Sequence, residues 1–323
     1  NSLLPHPSLI WLYVVAASFA AIDGLQRPSA DAILPRLVKH EDMGAASALM
    51  SLRWQSGVII GPSIAGILLA SFGTGSAFIV DLITYLISLI FLARVRSVKP
   101  TSQSDTPTLK SLVDGLKYAS SRKDLMGTYF VDLAAMFWAM PTALFPFWAD
   151  QLNARWALGL FYAAGTMGSI LVTLTSGWIK HYPHHGRAIT LAALGWGAAI
   201  AGAGLTNSLF WTIFFLALAG ASDMVSALFR GLIWNQSIAD EYRGRLAGIE
   251  LLSYSVGPLG GQMRAGTMAA WTSLRTSVVT GGLICMAFVG FFASILPQFR
   301  KYDSRSNEFA VLEREKRGEN QSQ

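Results

Sequence analysis

Residues 52–66, LRWQSGVIIGPSIAG, decide how the rest of the chain is read. The stretch is apolar, yet it carries Arg53 and a series of small-residue notches: Gly57, Gly61 with Pro62, and Ala65 with Gly66. Glycines at i, i+4 and i+9 mark a helix face that another backbone can approach closely. Pro62 removes a backbone donor and bends the helix. In water a Gly-Pro pair would end the helix. In lipid it is tolerated, because neighbouring helices satisfy the freed carbonyls.

The composition agrees with lipid as the solvent. Of 323 residues, 52% are hydrophobic and 14% charged, and the mean hydropathy is +0.43. A soluble domain carries about 25% charged residues. Apolar spans recur at 9–31, 44–71, 76–95, 125–148, 156–179, 187–206, 209–233, 244–271 and 276–299, which predicts nine transmembrane helices. Each is long enough to cross about 30 Å of hydrocarbon. The lone Cys285 lies in an apolar run and reads as a small buried hydrophobe.

Lysine and arginine set the orientation. The loops 36–42, 94–124, 180–187 and 240–245 and the tail from Arg300 hold nineteen of the twenty-five. The alternate loops hold only Arg155 and Arg275, while Arg27, Arg53, Arg230 and Arg264 fall inside or at the ends of spans. The basic loops and the C-terminus are therefore expected in the cytoplasm. The net charge of +6 is a topology signal, and no nucleic-acid partner is expected. Loop 94–124 begins as a Pro/Ser/Thr-rich linker and ends in a stretch with the spacing of an amphipathic surface helix. The charged tail 300–323 reads as disordered, with a helical turn or two near residues 308–316.

An internal repeat organises the chain. Shifted by 200 residues, Trp11 falls on Trp211, Asp23 on Asp223, Glu41 on Glu241, and Gly57, Gly61 and Gly66 on Gly257, Gly261 and Gly266. Thirteen of sixty positions are identical without a gap. The first three spans therefore correspond to the last three. Spans four to six have no counterpart ahead of residue 9, so three helices are expected to precede this chain in a parent with two six-helix halves.

The 52–66 stretch resembles the G-x-x-x-G-P-x-x-G-G signature of the fifth helix of major facilitator exporters, with Ala65 in place of one glycine. DGLQRPSADAILPRLV, TYFVDLAAMFWAMPTALFP and DEYRGRLAGI are similar to the branch of enterobactin exporters and macrolide efflux proteins. The loop SGWIKHYPHHGRA departs from the family's G-x-x-x-D-x-x-G-R pattern: Gly177, Gly186 and Arg187 remain, but the acid is absent. The resemblance implies an all-α major facilitator fold lacking its first three helices. Residues 1–95 would be the remainder of the N-terminal half, 96–124 a cytoplasmic linker, 125–299 the C-terminal half and 300–323 a cytoplasmic tail. It also implies a bacterial inner-membrane location.

Ionisable groups inside apolar runs cost on the order of 2.5–3.5 kcal/mol each at the helix centre, so they mark function or interhelical ion pairs. Asp23, Arg53, Asp132, Asp223, Glu250 and Arg264 are the candidates for a proton or substrate path. The alternative reading makes them structural pairs, such as Asp23 with Arg53. By the resemblance, Asp23, Asp132 and Asp223 lie on cavity-lining helices. Gly57, Gly61, Pro62, Gly66, Gly257 and Gly261 are expected at helix contacts that move during transport. Arg243 and Arg245 either anchor the loop DEYRGRLAG or form a cytoplasmic gate. Met136, Trp138, Met140, Phe145, Phe147 and Trp148 either pack or form an adaptable apolar wall. His181, His184 and His185 lack a nearby acid or cysteine and read as loop charge, so no metal site is expected.

The chain is expected to be a monomeric secondary exporter of amphipathic small molecules, a siderophore or drug, by proton antiport. The alternative is a transporter fold turned membrane sensor or scaffold. The sequence contains no GxxxxGK[ST], so ATP is not the driver within this chain. No histidine lies in a span and no GxSxG occurs, so neither an enzyme nor a cofactor is expected. The resemblance implies a cavity that needs a first helix too, so this chain alone is expected not to transport.

Overall fold

The computed structural model describes residues 8–19, 22, scattered positions between 49 and 72, 73–94, 117–238 and 240–321, and it divides into two compact units, Asn1–Ser104 and Asp105–Gln323. Among the described residues there is no strand. In the first unit, helix α1 (Leu9–Phe19) meets α2 (Thr74–Ala93) through an edge-on contact of Phe19 with Tyr85, their centroids 6.5 Å apart. The turn before α2 uses Gly73 at φ 77°, a left-handed conformation natural to glycine. Phe78, Ile79, Leu82, Ile83, Leu86, Leu89 and Ile90 of α2 are all exposed. A helix apolar on its exposed side as well has lipid as its solvent.

The second unit holds α3 (Lys123–Trp138), α4 (Phe145–Gln151), α5 (Leu158–Leu174), α6 (His185–Leu205), α7 (Leu209–Ser237), α8 (Asp240–Trp271) and α9 (Leu274–Ile295). Two shorter helices follow, α10 (Pro297–Arg300) and α11 (Glu308–Gln321). Six stretches of the described chain are long and apolar enough to cross a membrane: Gly75–Ala93, Lys123–Gln151, Arg155–Leu174, His185–Leu205, Leu209–Ser237 and Leu274–Ile295. The 32-residue α8 is less apolar and runs unbroken through Pro258. The span read as continuous over 125–148 is interrupted: α3 stops at Trp138, and a 3-10 turn, Thr142–Leu144, leads into α4. Pro141 lacks the N–H that would continue the helix and clashes with the preceding turn.

Small residues bring these helices together, as expected where lipid supplies no hydrophobic drive. A methyl at Gly168 would collide with the Ala217 carbonyl, and one at Gly220 with Gly165, so α5 and α7 touch backbone to backbone. Gly197 and Gly282 do the same for α6 and α9.

The tail departs from its reading as disordered. Tyr302 is buried and stacks on His185 at 5.8 Å, and His184 Nδ1 lies 3.2 Å from Asp303 Oδ2. The Ser304 N–H donates to the Pro183 carbonyl at 3.0 Å. Asn307 Oδ1 then accepts from the N–H groups of Phe309 and Ala310 at 3.1 Å, capping α11 at its start. The guanidinium carbon of Arg122 sits 3.4 Å from the Phe309 ring centroid, a cation–π contact. Two of the loop histidines thus hold the tail. Arg122 at the start of α3, the loop 180–187 and the tail share one end of the helix bundle.

Candidate functional site

The site grows from two helices. Asp132 lies on α3 and is buried, between fully buried Val131 and partly exposed Leu133. Asp223 and Arg230 lie on α7, seven residues apart, which is two turns and therefore one face. A helical side chain leans toward its own N-terminus, so Arg230 reaches back along α7 toward Asp223. Its Nη2 lies 3.9 Å from Asp223 Oδ1, and its Nη1 pairs with Asp132 Oδ1 across to α3.

Three polar links zip α3 to α7 in antiparallel register. Arg122 Nη1 donates to the Ser237 carbonyl at 3.0 Å. Trp234 Nε1 donates to Thr128 Oγ1 at 3.0 Å, with Tyr129 stacked on the Trp234 ring. Arg230 to Asp132 is the third link and lies farthest from the tail-bearing end. At that end Arg122 also grips Asp124 through both carboxylate oxygens, at 2.9 and 2.7 Å.

The trio of Asp132, Arg230 and Asp223 is asymmetric. The side chains of Arg230 and Asp132 are 3% and 6% exposed, whereas that of Asp223 is 39% exposed. Two carboxylates share one guanidinium, so the formal charges sum to −1. A buried ion pair is kept only if well matched, and Arg230–Asp132 is the matched pair. Asp223 is the member with open surface, and one proton there would neutralise the group.

The glycine face of α8 packs on α3. A methyl at Gly257 would lie 3.1 Å from Met136 Cβ. One at Gly260 would lie 2.9 Å from Phe137, and one at Gly261 would strike the Met136 carbonyl. Arg264 continues this face and reaches α9, where Nη1 lies 3.3 Å from the Ser277 carbonyl.

The other candidates fall differently. Gly57 and Gly61 have no atom within 4 Å of an added Cβ, so no close contact forms there among the described residues. Arg53 is exposed. Asp23, Pro62 and Gly66 lie outside the described residues, as do the side chains of Arg243, Arg245 and Glu250. Among the described residues no group of three His, Cys, Asp or Glu is placed to hold a metal. Phe145 and Trp148 are buried and pack on Phe161, while Phe147 is exposed. In the sequence Arg230 reads only as an arginine within a span. Its seven-residue spacing from Asp223 was the available signal.

Residues 2–226 match the family described as the Major Facilitator Superfamily. The chain is 27% identical over 306 residues to the enterobactin exporter EntS of Shigella boydii, covering 94% of this chain and 73% of that one. It is 26% identical over 306 residues, with the same coverage, to the proteins of that name from Escherichia coli O81 and O157:H7. Since the match runs through more than half of its length, the chain belongs to the Major Facilitator Superfamily.

Proposed function

We propose that this transporter exports an amphipathic small molecule in exchange for protons, with Asp223 as the proton-carrying carboxylate. The observation that carries the reading is the trio: two carboxylates and one arginine inside apolar helices, with the surplus negative charge on the member that has open surface. Asp132 and Arg230 form the fixed pair. Asp223 accepts a proton from one side, is neutral while the site reorients, and releases the proton on the other side when Arg230 favours its charged form.

The relatives named as enterobactin exporters suggest a siderophore as the cargo. In the proposed architecture the chain supplies the fourth to twelfth helices of two six-helix halves, with the basic loops and the tail in the cytoplasm of a bacterium. The Gly257–Gly261 contact with α3 is where α8 slides during alternating access. The interrupted path from α3 to α4 at Ala139–Pro141 fits the same picture, since irregular backbone at membrane depth occurs where it borders a cavity or other protein.

The test uses inverted membrane vesicles bearing the intact protein and an acidified lumen. Adding enterobactin releases lumenal protons, and Asp223→Asn abolishes the release. Release that persists in Asp223→Asn assigns the proton to another group. No release with the unmodified protein contradicts the antiport.

A further inference from the structure

We propose that Arg264 is the recognition cation for an anionic substrate, and that the cargo class is an aromatic organic acid bound between α3, α8 and α9. The inference deepens the exporter reading and rests on it. Arg264 is half-buried in α8, and among the described residues no carboxylate lies within ion-pair distance of it. Its Nε is shielded from solvent and has no hydrogen-bond partner. Among the described residues its Nη1 has the Ser277 carbonyl at 3.3 Å and the Met268 sulfur at 3.7 Å.

The surroundings hold the guanidinium in place without neutralising it. A methyl at Gly281 of α9 would lie 2.7 Å from Arg264 Nη2 and would also strike the Trp138 carbonyl, so that glycine leaves the room the guanidinium uses. Trp138 is the last residue of α3. The negative end of a helix carries roughly half a charge, which attracts a guanidinium but leaves a net positive site. An arginine kept this way between packed helices is costly unless an anion joins it.

The second observation is aromatic. Trp138 stacks on Phe288 at 5.3 Å, and Phe130 stacks on Phe292 at 5.1 Å. Phe288 follows Gly281 by seven residues and so shares its face of α9, about 10 Å farther along. A molecule with an acidic group at one end and a ring at the other spans from Arg264 to this ladder. A guanidinium takes a carboxylate or phenolate through charge-assisted hydrogen bonds, and the rings take the aromatic body.

The probes are 1-naphthoate and its neutral isostere 1-naphthamide, with binding measured by equilibrium dialysis on the intact protein in uncharged detergent. Naphthoate binds roughly tenfold or more tightly than naphthamide, the size of one charge-assisted hydrogen bond. Arg264→Gln removes that preference and leaves naphthamide binding in place, and Arg264→Lys retains part of it. Equal affinities in the unmodified protein overturn the proposal, whatever the variants do. So does a preference that survives Arg264→Gln. Displacement of naphthoate by phosphatidylglycerol assigns the cation to a lipid headgroup and also overturns it. A charge preference without proton release would sink the antiport but keep this site. Proton release without a charge preference would do the reverse.

Discussion

Arg230 and Arg264 sit inside successive helices, α7 and α8, and the fold treats them in opposite ways. Arg230 is closed off and shares its charge with two carboxylates, Asp132 and Asp223. Arg264 is half-buried, with a carbonyl and a thioether for company. The first site carries one negative charge too many, the second one positive charge too many. A low-dielectric interior penalises both imbalances, so each marks a place where something from outside the fold completes the account. We propose a proton as the missing partner at the first and an anion at the second. The contrast also separates holding from working. Arg230 with Asp132 is buried and joins α7 to α3, while Arg122 is buried with Asp124 at the start of α3 and bonds the Ser237 carbonyl of α7.

The largest expected effect breaks the matched pair. Asp132→Asn takes from Arg230 its buried carboxylate partner and leaves Asp223 at 3.9 Å as the carboxylate beside it. Removing one partner of a buried pair costs roughly 3–5 kcal/mol. The purified variant unfolds at a clearly lower temperature, whereas Arg264→Gln, which uncovers no buried carboxylate, changes it little. Thermal unfolding of the two variants side by side checks this, and equal losses would make Arg264 a structural residue.

An intermediate effect sharpens a second contrast, between the two copies of the repeat. Gly261→Ala drives a methyl onto the Met136 carbonyl of α3, while among the described residues a methyl at Gly61 meets nothing within 4 Å. Overpacking of this kind costs about 1–3 kcal/mol, and an unopposed methyl stays within about 0.5 kcal/mol. Denaturation of the two alanine variants in detergent measures the difference. A Gly61→Ala loss as large as that of Gly261→Ala would show that both copies are packed alike.

Much of this was legible in the sequence where one physical signal dominates. Uninterrupted hydropathy gave the 76–95, 187–206 and 276–299 spans, and the helices run Thr74–Ala93, His185–Leu205 and Leu274–Ile295. Asp132 and Asp223 stood out because charge in an apolar run is costly. The pairing of Arg230 with Asp132 was not legible, because it depends on how α3 meets α7, which no local pattern encodes. The interruption at Ala139–Pro141 was hidden because its flanks stay apolar on both sides. The docking of α11 was hidden for the opposite reason: a charged tail reads as solvated, yet Phe309 meets the Arg122 guanidinium and Ala310 and Glu313 are buried.

The smallest effect on stability accompanies the largest effect on function, and it tests the central claim most directly. Asp223→Asn removes a part-exposed charge that is only loosely paired, so folding changes by less than about 1 kcal/mol. In proteoliposomes bearing the intact protein, export of radiolabelled enterobactin is followed with and without an imposed pH gradient. The account predicts that Asp223→Asn still exchanges labelled for unlabelled substrate across the membrane, yet no longer accumulates it against its gradient at any pH. Uphill export by Asp223→Asn at the rate of the unmodified protein would contradict the assignment of Asp223 as the proton carrier.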